Sequence, residues 1–461
     1  MSKRHQEPYD SVLDLIGWTP MVRLSSVTDG ARTPLYAKCE FMNPGGSIKD
    51  RIGLVMLEAA EQDGSLKPGG TIVEATGGNT GLALAMAASL KGYRCICTMP
   101  DKMSSEKVKL LRAFGAEVII TPTAVPPDHP DHCLQKARSI TAETPGAVMA
   151  DQFYNQANPQ AHHDTTGREI WEQSEGRVTH FVASAGTGGT ITGVGRYLKE
   201  KNSSVSIIGI DPEGSMIAPF FNTGEKVEGH PYKVEGIGND KIPGVLDLDT
   251  VDEYRTGEDG DAFRMARRLT REEGLFAGGS SGLMVHAAVQ IAKELDDPSA
   301  FVVTLLPDWG ERYLGKAYDD DWMRDNGFLQ RRRRSTVGEL VRAKEGGGPD
   351  LITVEPVTSV RISLSTITAH DIGQLPIVLD GECVGSVTET RLMAQVIEDP
   401  SLLDKPVDTV MGAPFPVVDS HVDSAEIRHL LTRENAACLV RENASLCGII
   451  TRYDVIRALT A

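Results

Sequence analysis

Along the chain, short runs of apolar and β-branched residues alternate with longer stretches whose apolar positions recur every three or four residues. The runs are TIVEA (71 to 75), RCICTMP (94 to 100), AEVIITP (116 to 122), THFVASA (179 to 185), VSIIGIDP (205 to 212) and AFVVTLLPD (300 to 308). Continuity of this kind belongs to strands buried on both faces. Between them, GLALAMAASLKG (81 to 92), SEKVKLLRAFGA (105 to 116), ITGVGRYLKEKN (191 to 202) and GEDGDAFRMARRLTREEG (257 to 274) carry the helical pattern. Strand and helix in alternation predict an open α/β architecture of parallel strands joined by right-handed crossovers.

Beyond Leu306 the pattern changes. Asp319 to Asp321, the run Arg331 to Arg334 and AKEGGGPD (343 to 350) read as hinge-like stretches. A short unit then occurs twice: LPIVLDGECVGSVTETRLMAQVI (375 to 397) resembles AACLVRENASLCGIITRYDVIRAL (436 to 459), each being strand, tight polar turn, Gly-led strand, Thr and helix. ITVEPVTSV (352 to 360) and FPVVDSHVDSAEIRHLL (415 to 431) open the two copies. A duplicated small α/β unit is predicted. The expected division is a first domain over 1–325, a linker over 326–350 and a duplicated module over 351–461.

The 461 residues imply two or three folding units at roughly 150 residues each. A net charge of −17 and a pI near 5.2 argue against binding a polyanion such as nucleic acid. The seven cysteines are odd in number and dispersed, with no CxxC pair, so reduced thiols and no metal site are expected. Cys95 and Cys97 alternate about Ile96 in a buried run and should share one face of a sheet. The N-terminus MSKRHQEPYDSVLD lacks an apolar signal core, and the apolar face Leu82 to Leu90 falls short of the roughly 20 residues that span a bilayer. A cytoplasmic protein without membrane association is expected.

Four segments can carry chemistry. NPGGSIKDR (43 to 51) is a turn releasing a helix near Ser47, with Lys49 in the first turn. There the helix dipole and burial both lower an ammonium pKa, and a neutral lysine can form a Schiff base. A solvent-facing Lys beside Asp50 and Arg51 is the plain alternative. ATGGNTG (75 to 81) leaves a strand for a helix and lets an anionic group approach, with Asn79 and Thr80 able to bond it. SAGTGGTITG (184 to 193) exposes backbone N–H groups at Gly186, Gly188 and Gly189 and adds the hydroxyls of Thr187 and Thr190, a phosphate cradle without a cation. It matches neither GxGxxG nor GxxxxGK[ST], which disfavours a dinucleotide dehydrogenase or a P-loop ATPase. AGGSSGLM (277 to 284) places Ser280 where a neutral hydroxyl could meet a ring nitrogen, or simply cap a helix. Together the four describe a pyridoxal phosphate (PLP) site.

The same segments, with IGWTPMVRL (16 to 24), PDKMSSEKVKLLRAFGAEV (100 to 118), DQFYNQANPQAHHDTTGREIW (151 to 171), EGIGNDKIPGVLD (235 to 247) and LLPDWGERY (305 to 313), resemble the cysteine synthase and cystathionine β-synthase family of fold-type II PLP enzymes over roughly the first 325 residues. The tail, over about 335 to 461, is similar to a tandem pair of CBS motifs, best at GSVTETRL and GIITRYDV. The resemblance implies an α/β, tryptophan synthase β-like fold of two subdomains with open sheets, followed by a nucleotide-sensing CBS (Bateman) module. It implies that Lys49 binds the cofactor aldehyde and serves as general base, that Asn79 bonds the 3′-oxygen, that Gly186, Thr187, Gly188, Gly189 and Thr190 hold the phosphate, and that Ser280 faces the pyridine nitrogen. Thr76, Gly77, Thr80, Gln152 and Gly236 fall at substrate-binding positions, and Thr451 and Asp454 at contacts for an adenosyl ligand such as S-adenosylmethionine. The implied reaction condenses serine with homocysteine to cystathionine in a homodimer or higher homo-oligomer.

The chain departs from the family pattern at four places. Gly77 stands for the usual Ser, Phe153 for the synthases' Tyr, and Asn239 and Lys241 for aromatic residues. These changes cluster where the leaving group and second substrate belong, so cysteine synthesis from an activated serine ester and hydrogen sulfide release from cysteine stay open. A non-catalytic scaffold that senses an adenosyl ligand is the alternative of another class. A dehydratase has an unlike lysine motif. The short N-terminus offers no Cys/His axial pair, so no heme is expected.

Overall fold

The computed structural model describes residues 8–329, 336–344, 351–424, 426–432 and 435–455. The chain divides into two compact units, Met1–Gln330 and Arg331–Ala461. The basic run Arg331 to Arg334 and most of 343 to 350 lie outside the described residues.

Among its described residues the first unit contains ten strands: β1 (Met21–Leu24), β2 (Leu35–Cys39), β3 (Thr71–Ala75), β4 (Arg94–Pro100), β5 (Glu117–Thr121), β6 (Ala147–Met149), β7 (His180–Ser184), β8 (Ser206–Pro212), β9 (Glu253–Gly257) and β10 (Val302–Leu306). They form two sheets, of order β1-β2-β10-β7-β8-β9 and β5-β4-β3-β6. Every pairing is parallel except that of the edge strand β1 with β2. β10 is buried throughout, as its unbroken apolar run demands. Helices cover both faces, and two apolar clusters fill the larger sheet's sides around Val182 and around Phe181. A third core, around Leu84 and Ile72, belongs to the smaller sheet. Cys95 and Cys97 lie buried on one face of β4 with their sulfurs 3.9 Å apart. The functional loops leave the carboxyl ends of β3, β7 and β10, where open α/β sheets bind ligands.

Asp319 to Asp321 do not form a hinge. Asp319 N-caps the helix Asp320–Asp325 by accepting the Trp322 N–H, and Asp320 and Asp321 stand in its first turn, where the dipole favours acids. Asp320 also meets Arg267. Acids read as a hinge-like stretch are thus a helix start.

A buried ionic quartet anchors the helix Lys49–Gln62. Arg51 contacts Glu40 at 2.8 Å and Glu169 at 2.6 Å, and Lys38 contacts Glu169 at 2.8 Å, all with side chains at most 2% exposed. Two cations and two anions cancel, and Thr19 Oγ1 donates to Glu40 to satisfy a remaining lone pair.

In the second unit β11 (Gln374–Leu379) pairs antiparallel with β12 (Glu382–Thr388), and β14 (Ala437–Glu442) with β15 (Ser445–Thr451); β13 (Val417–Asp419) lies parallel to β14. Register shifts occur at corresponding places, between Ile377 and Val378 and between Val440 and Arg441. Val354 makes a parallel bridge to Ile377, echoing β13 on β14. The repeat read from the sequence is therefore a repeat of backbone geometry. Among the described residues no helix is long and apolar enough to cross a membrane.

Candidate active site

Three loops are woven together at the end of β10. Pro307 accepts the Ile48 N–H at 2.8 Å, Ser47 and Asp308 form an antiparallel bridge, and the Gly278 N–H reaches the Asp308 carbonyl at 3.2 Å. Gly46 turns the chain with φ +79°, and a Cβ there would meet Trp309 at 2.9 Å, so this turn requires glycine. Lys49 consequently opens a 14-residue helix, and Ser47 Oγ accepts its N–H at 3.2 Å. Its Nζ makes no hydrogen bond or ion pair among the described residues. Burial pushes its pKa down, opposed by the nearby carboxylates of Asp308 and Glu40.

Asn79 begins the helix Asn79–Lys91, with its amide held from both sides: Nδ2 donates to Asp308 Oδ2 at 2.8 Å and Oδ1 accepts from Arg312. Tyr313 also donates to Asp308 Oδ2, at 2.7 Å, while Asp308 Oδ1 is buried without a partner among the described residues. Burial raises the Asp308 pKa, against Arg312, Tyr313 and Asn79. Ser280 lies in the first turn of the helix Gly279–Leu295, beside Gly278, which is bonded to Asp308. Its hydroxyl has no partner among the described residues. Asp308 therefore joins the surroundings of Lys49, Asn79 and Ser280.

The loop after β7 enters the helix Gly189–Lys201, whose first amides have no acceptor within the helix. The glycines here answer to protein neighbours as well as to a ligand. A Cβ on Gly186 would lie 2.4 Å from the Gly236 carbonyl, one on Gly188 2.5 Å from Leu246, and one on Gly189 1.9 Å from Asn158 Oδ1. Asn158 Nδ2 donates to Thr187 Oγ1 at 3.1 Å, and Thr190 Oγ1 meets His162 Nε2 at 3.1 Å. Burial, with Lys49 and Arg51 nearby, holds the His162 pKa well below its ordinary value, so this ring is neutral.

At the substrate positions, Thr80 Oγ1 donates to Gln152 Oε1 at 2.6 Å, and Asn158 Nδ2 donates to the Gln152 carbonyl at 2.8 Å. Thr76 Oγ1 accepts the Gly78 N–H at 3.2 Å. The space a side chain on Gly77 would take is filled by Met99 and Met103, both 2.9 Å from a Cβ there. Phe153 is half-buried with its carbonyl bonded to the Val245 N–H. Asn239 Nδ2 reaches the Gly186 carbonyl at 3.3 Å, and Lys241 is exposed.

Thr451 and Asp454 belong to the second unit. Asp454 Oδ2 accepts the Thr451 N–H at 2.7 Å and hydroxyl at 2.8 Å, and pairs with Lys344 at 2.9 Å. Its carboxylate thus satisfies local donors at a helix start. Thr451 also lines a cleft of about 500 Å³ with Gln374, Ala436, Arg452 and Tyr453.

The donor set fits PLP: an amine free of partners, a held amide, a free hydroxyl, and a helix N-terminus with two threonines for a dianion. Sequence reading missed Asp308, Arg312, Asn158 and His162. All four lie within the motif segments, but their contacts cross long separations, 229 residues between Asn79 and Asp308.

Comparison with known proteins agrees. The family model for pyridoxal-phosphate dependent enzymes matches residues 12–308, and the CBS domain model matches 348–398 and 407–461. Cystathionine beta-synthase of Dictyostelium discoideum is 38% identical, with 98% of this chain and 92% of that protein covered. The rabbit (Oryctolagus cuniculus) cystathionine beta-synthase is 41% identical, covering 96% and 84%. Among solved structures, O-ureido-L-serine synthase matches with a TM-score of 0.63 and 37% identity, over 71% of this chain and 98% of that one.

Proposed function

The chain belongs to the pyridoxal-phosphate dependent enzymes, in the branch of the cystathionine beta-synthases, and from that premise we propose that it condenses serine with homocysteine to cystathionine and water. The observation that carries the reading is Lys49, an amine without a partner among the described residues at a helix start, whose loop is joined through Asp308 to Asn79 and to Gly278, two residues before Ser280. PLP, when bound, supplies an electron sink for the bonds at the substrate Cα.

The chain's own residues do the rest. Lys49 Nζ, with its pKa pushed down, would supply the neutral amine that holds the cofactor aldehyde, and the same amine is the base that would take the substrate Cα proton. Asn79 is held by Asp308 and Arg312 for the cofactor's 3′-oxygen. Thr187, Thr190 and the backbone at Gly186, Gly188 and Gly189 receive the phosphate. Ser280 bonds the ring nitrogen as a neutral hydroxyl, which cannot keep that nitrogen protonated as a carboxylate would. Thr76, Thr80, Gln152 and Gly236 bind the substrate, the Thr80–Gln152 pair taking its carboxylate. Gly77 and Phe153 offer no hydroxyl to the departing group, so the acid for that step is the Lys49 ammonium itself.

The second unit supplies regulation in this reading. Its cleft takes an adenosyl ligand such as S-adenosylmethionine, with Asp454 bonding the ribose hydroxyls in place of Lys344 and Thr451 beside it. The domain limits 1–325, 326–350 and 351–461, a homodimeric state and a cytoplasmic location complete the proposal; the division of the chain at Gln330 supports the first of these.

Steady-state comparison of serine, O-acetylserine and cysteine as first substrates, with homocysteine or sulfide as nucleophile, tests the reaction. Serine with homocysteine should give the highest kcat/KM. The absence of side-chain hydroxyls at Gly77 and Phe153 favours a second reading, an activated serine ester attacked by sulfide, and dominance of that pair would replace the first. Borohydride reduction of the holoenzyme followed by peptide mapping should fix the cofactor to Lys49. Calorimetry showing no heat with any adenosyl compound would remove the regulatory ligand.

A further inference from the structure

The strand β3 carries one acid, Glu74, 2% exposed inside the smaller sheet. The two buried acids of the quartet are each matched by a cation, but Glu74 forms no ion pair among the described residues. Its hydrogen-bond partner comes from one short segment after β6: Glu74 Oε2 accepts the Asp151 N–H at 2.7 Å. Asp151 sits at φ +49°, a left-handed conformation that a non-glycine residue adopts at a cost of about 1–2 kcal/mol. The bond to Glu74 therefore holds a turn that would otherwise relax. Gln152, directly after that turn, is 6% exposed, and its Oε1 is already taken by Thr80.

An amide whose oxygen is engaged by Thr80 cannot flip without breaking that bond, which leaves its N–H groups facing a ligand. We propose that Glu74 is a positioning residue for substrate binding: it fixes the turn at Asp151 that aims Gln152, so that the amide oriented by Thr80 presents its N–H groups to the carboxylate of the amino-acid substrate. The inference rests on the reading that Gln152 receives that carboxylate. It explains why an acid persists in a sheet interior with no cation to offset its burial. Burial pushes the Glu74 pKa up to about 8, against its bond to the Asp151 N–H. Glutamine is thus a close mimic of the group near neutral pH.

The test is a double-mutant cycle on the holoenzyme with Glu74→Ala, Glu74→Gln, Gln152→Ala and Glu74→Ala/Gln152→Ala. Glu74→Ala should raise KM for the amino-acid substrate roughly ten-fold, the worth of one hydrogen bond to a charged group, with kcat changed by less than about three-fold and bound-PLP absorbance unchanged. Glu74→Gln should restore KM to within about three-fold of wild type. The double variant should be no worse than Gln152→Ala alone. If Gln152→Ala raises KM but Glu74→Ala does not, or if the two effects multiply, the positioning role is overturned. An unchanged KM in Gln152→Ala would overturn the underlying reading and this inference with it. Should Glu74→Ala fail to fold, Glu74→Asp, which withdraws the carboxyl by one methylene, takes its place in the same cycle with the same expected signs.

Discussion

A buried lysine amine and a buried carboxylate can share a site only if each is kept from neutralising the other's chemistry, and Asp308 is placed to manage this. Its Oδ2 serves Asn79 and Tyr313, so the carboxylate acts on Lys49 through the field and not through a bond. Replacing Asp308 by Ala leaves the half-buried Asn79 amide and Tyr313 hydroxyl without this acceptor, at about 1–3 kcal/mol. Titration of the apoprotein followed by absorbance should then show PLP binding roughly ten- to a hundred-fold weaker. The quartet gives a sharper contrast. Arg51→Ala leaves Glu40 buried without its paired cation and Glu169 with Lys38 alone, and should cost about 3–5 kcal/mol in urea unfolding. Breaking Arg32–Asp296, whose side chains are 64% and 61% exposed, should cost at most about 1 kcal/mol. Lys49, Asn79 and Ser280 were legible because each stands at a junction marked by glycines. Asp308 was not, because nothing local distinguishes an Asp whose partners come from distant loops.

Strand limits were the most legible elements. TIVEA and RCICTMP are β3 and β4 residue for residue, since an apolar run bounded by polar or turn residues leaves little latitude. Helix ends were less so, because caps and not periodicity decide them. The helix foreseen from Gly81 begins at Asn79, where Gly78 serves as N-cap, and the acids at 319 to 321 begin a helix where composition pointed to a hinge. The glycines after β7 show the same limit: their small size was legible, while Leu246, the Gly236 carbonyl and Asn158 as the neighbours that require it were not. At Gly188, with φ +89° and Leu246 in the way, alanine combines left-handed strain with overpacking and should cost about 2–4 kcal/mol. It should also weaken inorganic phosphate or PLP binding to the apoprotein. Gly64→Ala, at φ +77° with nothing within 4 Å, isolates the strain alone and should cost about 1–2 kcal/mol with cofactor binding intact.

For the whole molecule the composition gave a net charge of −17, but not which acids are neutral when folded. Burial raises Asp211 to about 6, Asp50 to about 7 and Glu74 to about 8. Glu169 goes the other way: burial opposes it, yet Arg51 and Lys38 hold it at about 2. A raised carboxyl binds its proton more tightly in the folded state, so its contribution is complete below the unfolded value near 4 and is lost as pH climbs to the folded value. Each of the three therefore removes up to about 1.4 kcal/mol per pH unit, ending in turn near pH 6, 7 and 8. Glu169 affects the slope only below about pH 4.5, where its stabilisation is lost on acidification toward 2. These three carboxyls should thus lower the urea midpoint of the first unit between pH 5 and 8, steeply at first and then less so, opposed by His162 and Lys49, whose protons the unfolded chain binds more tightly. Self-repulsion of an acidic chain predicts the same sign, but salt separates the causes: at about 1 M the Debye length is about 3 Å, which screens surface charge and leaves buried protons untouched. A slope that survives in high salt and is flattened by Glu74→Gln belongs to the buried carboxyls, whereas one that vanishes in salt would assign the whole effect to the surface.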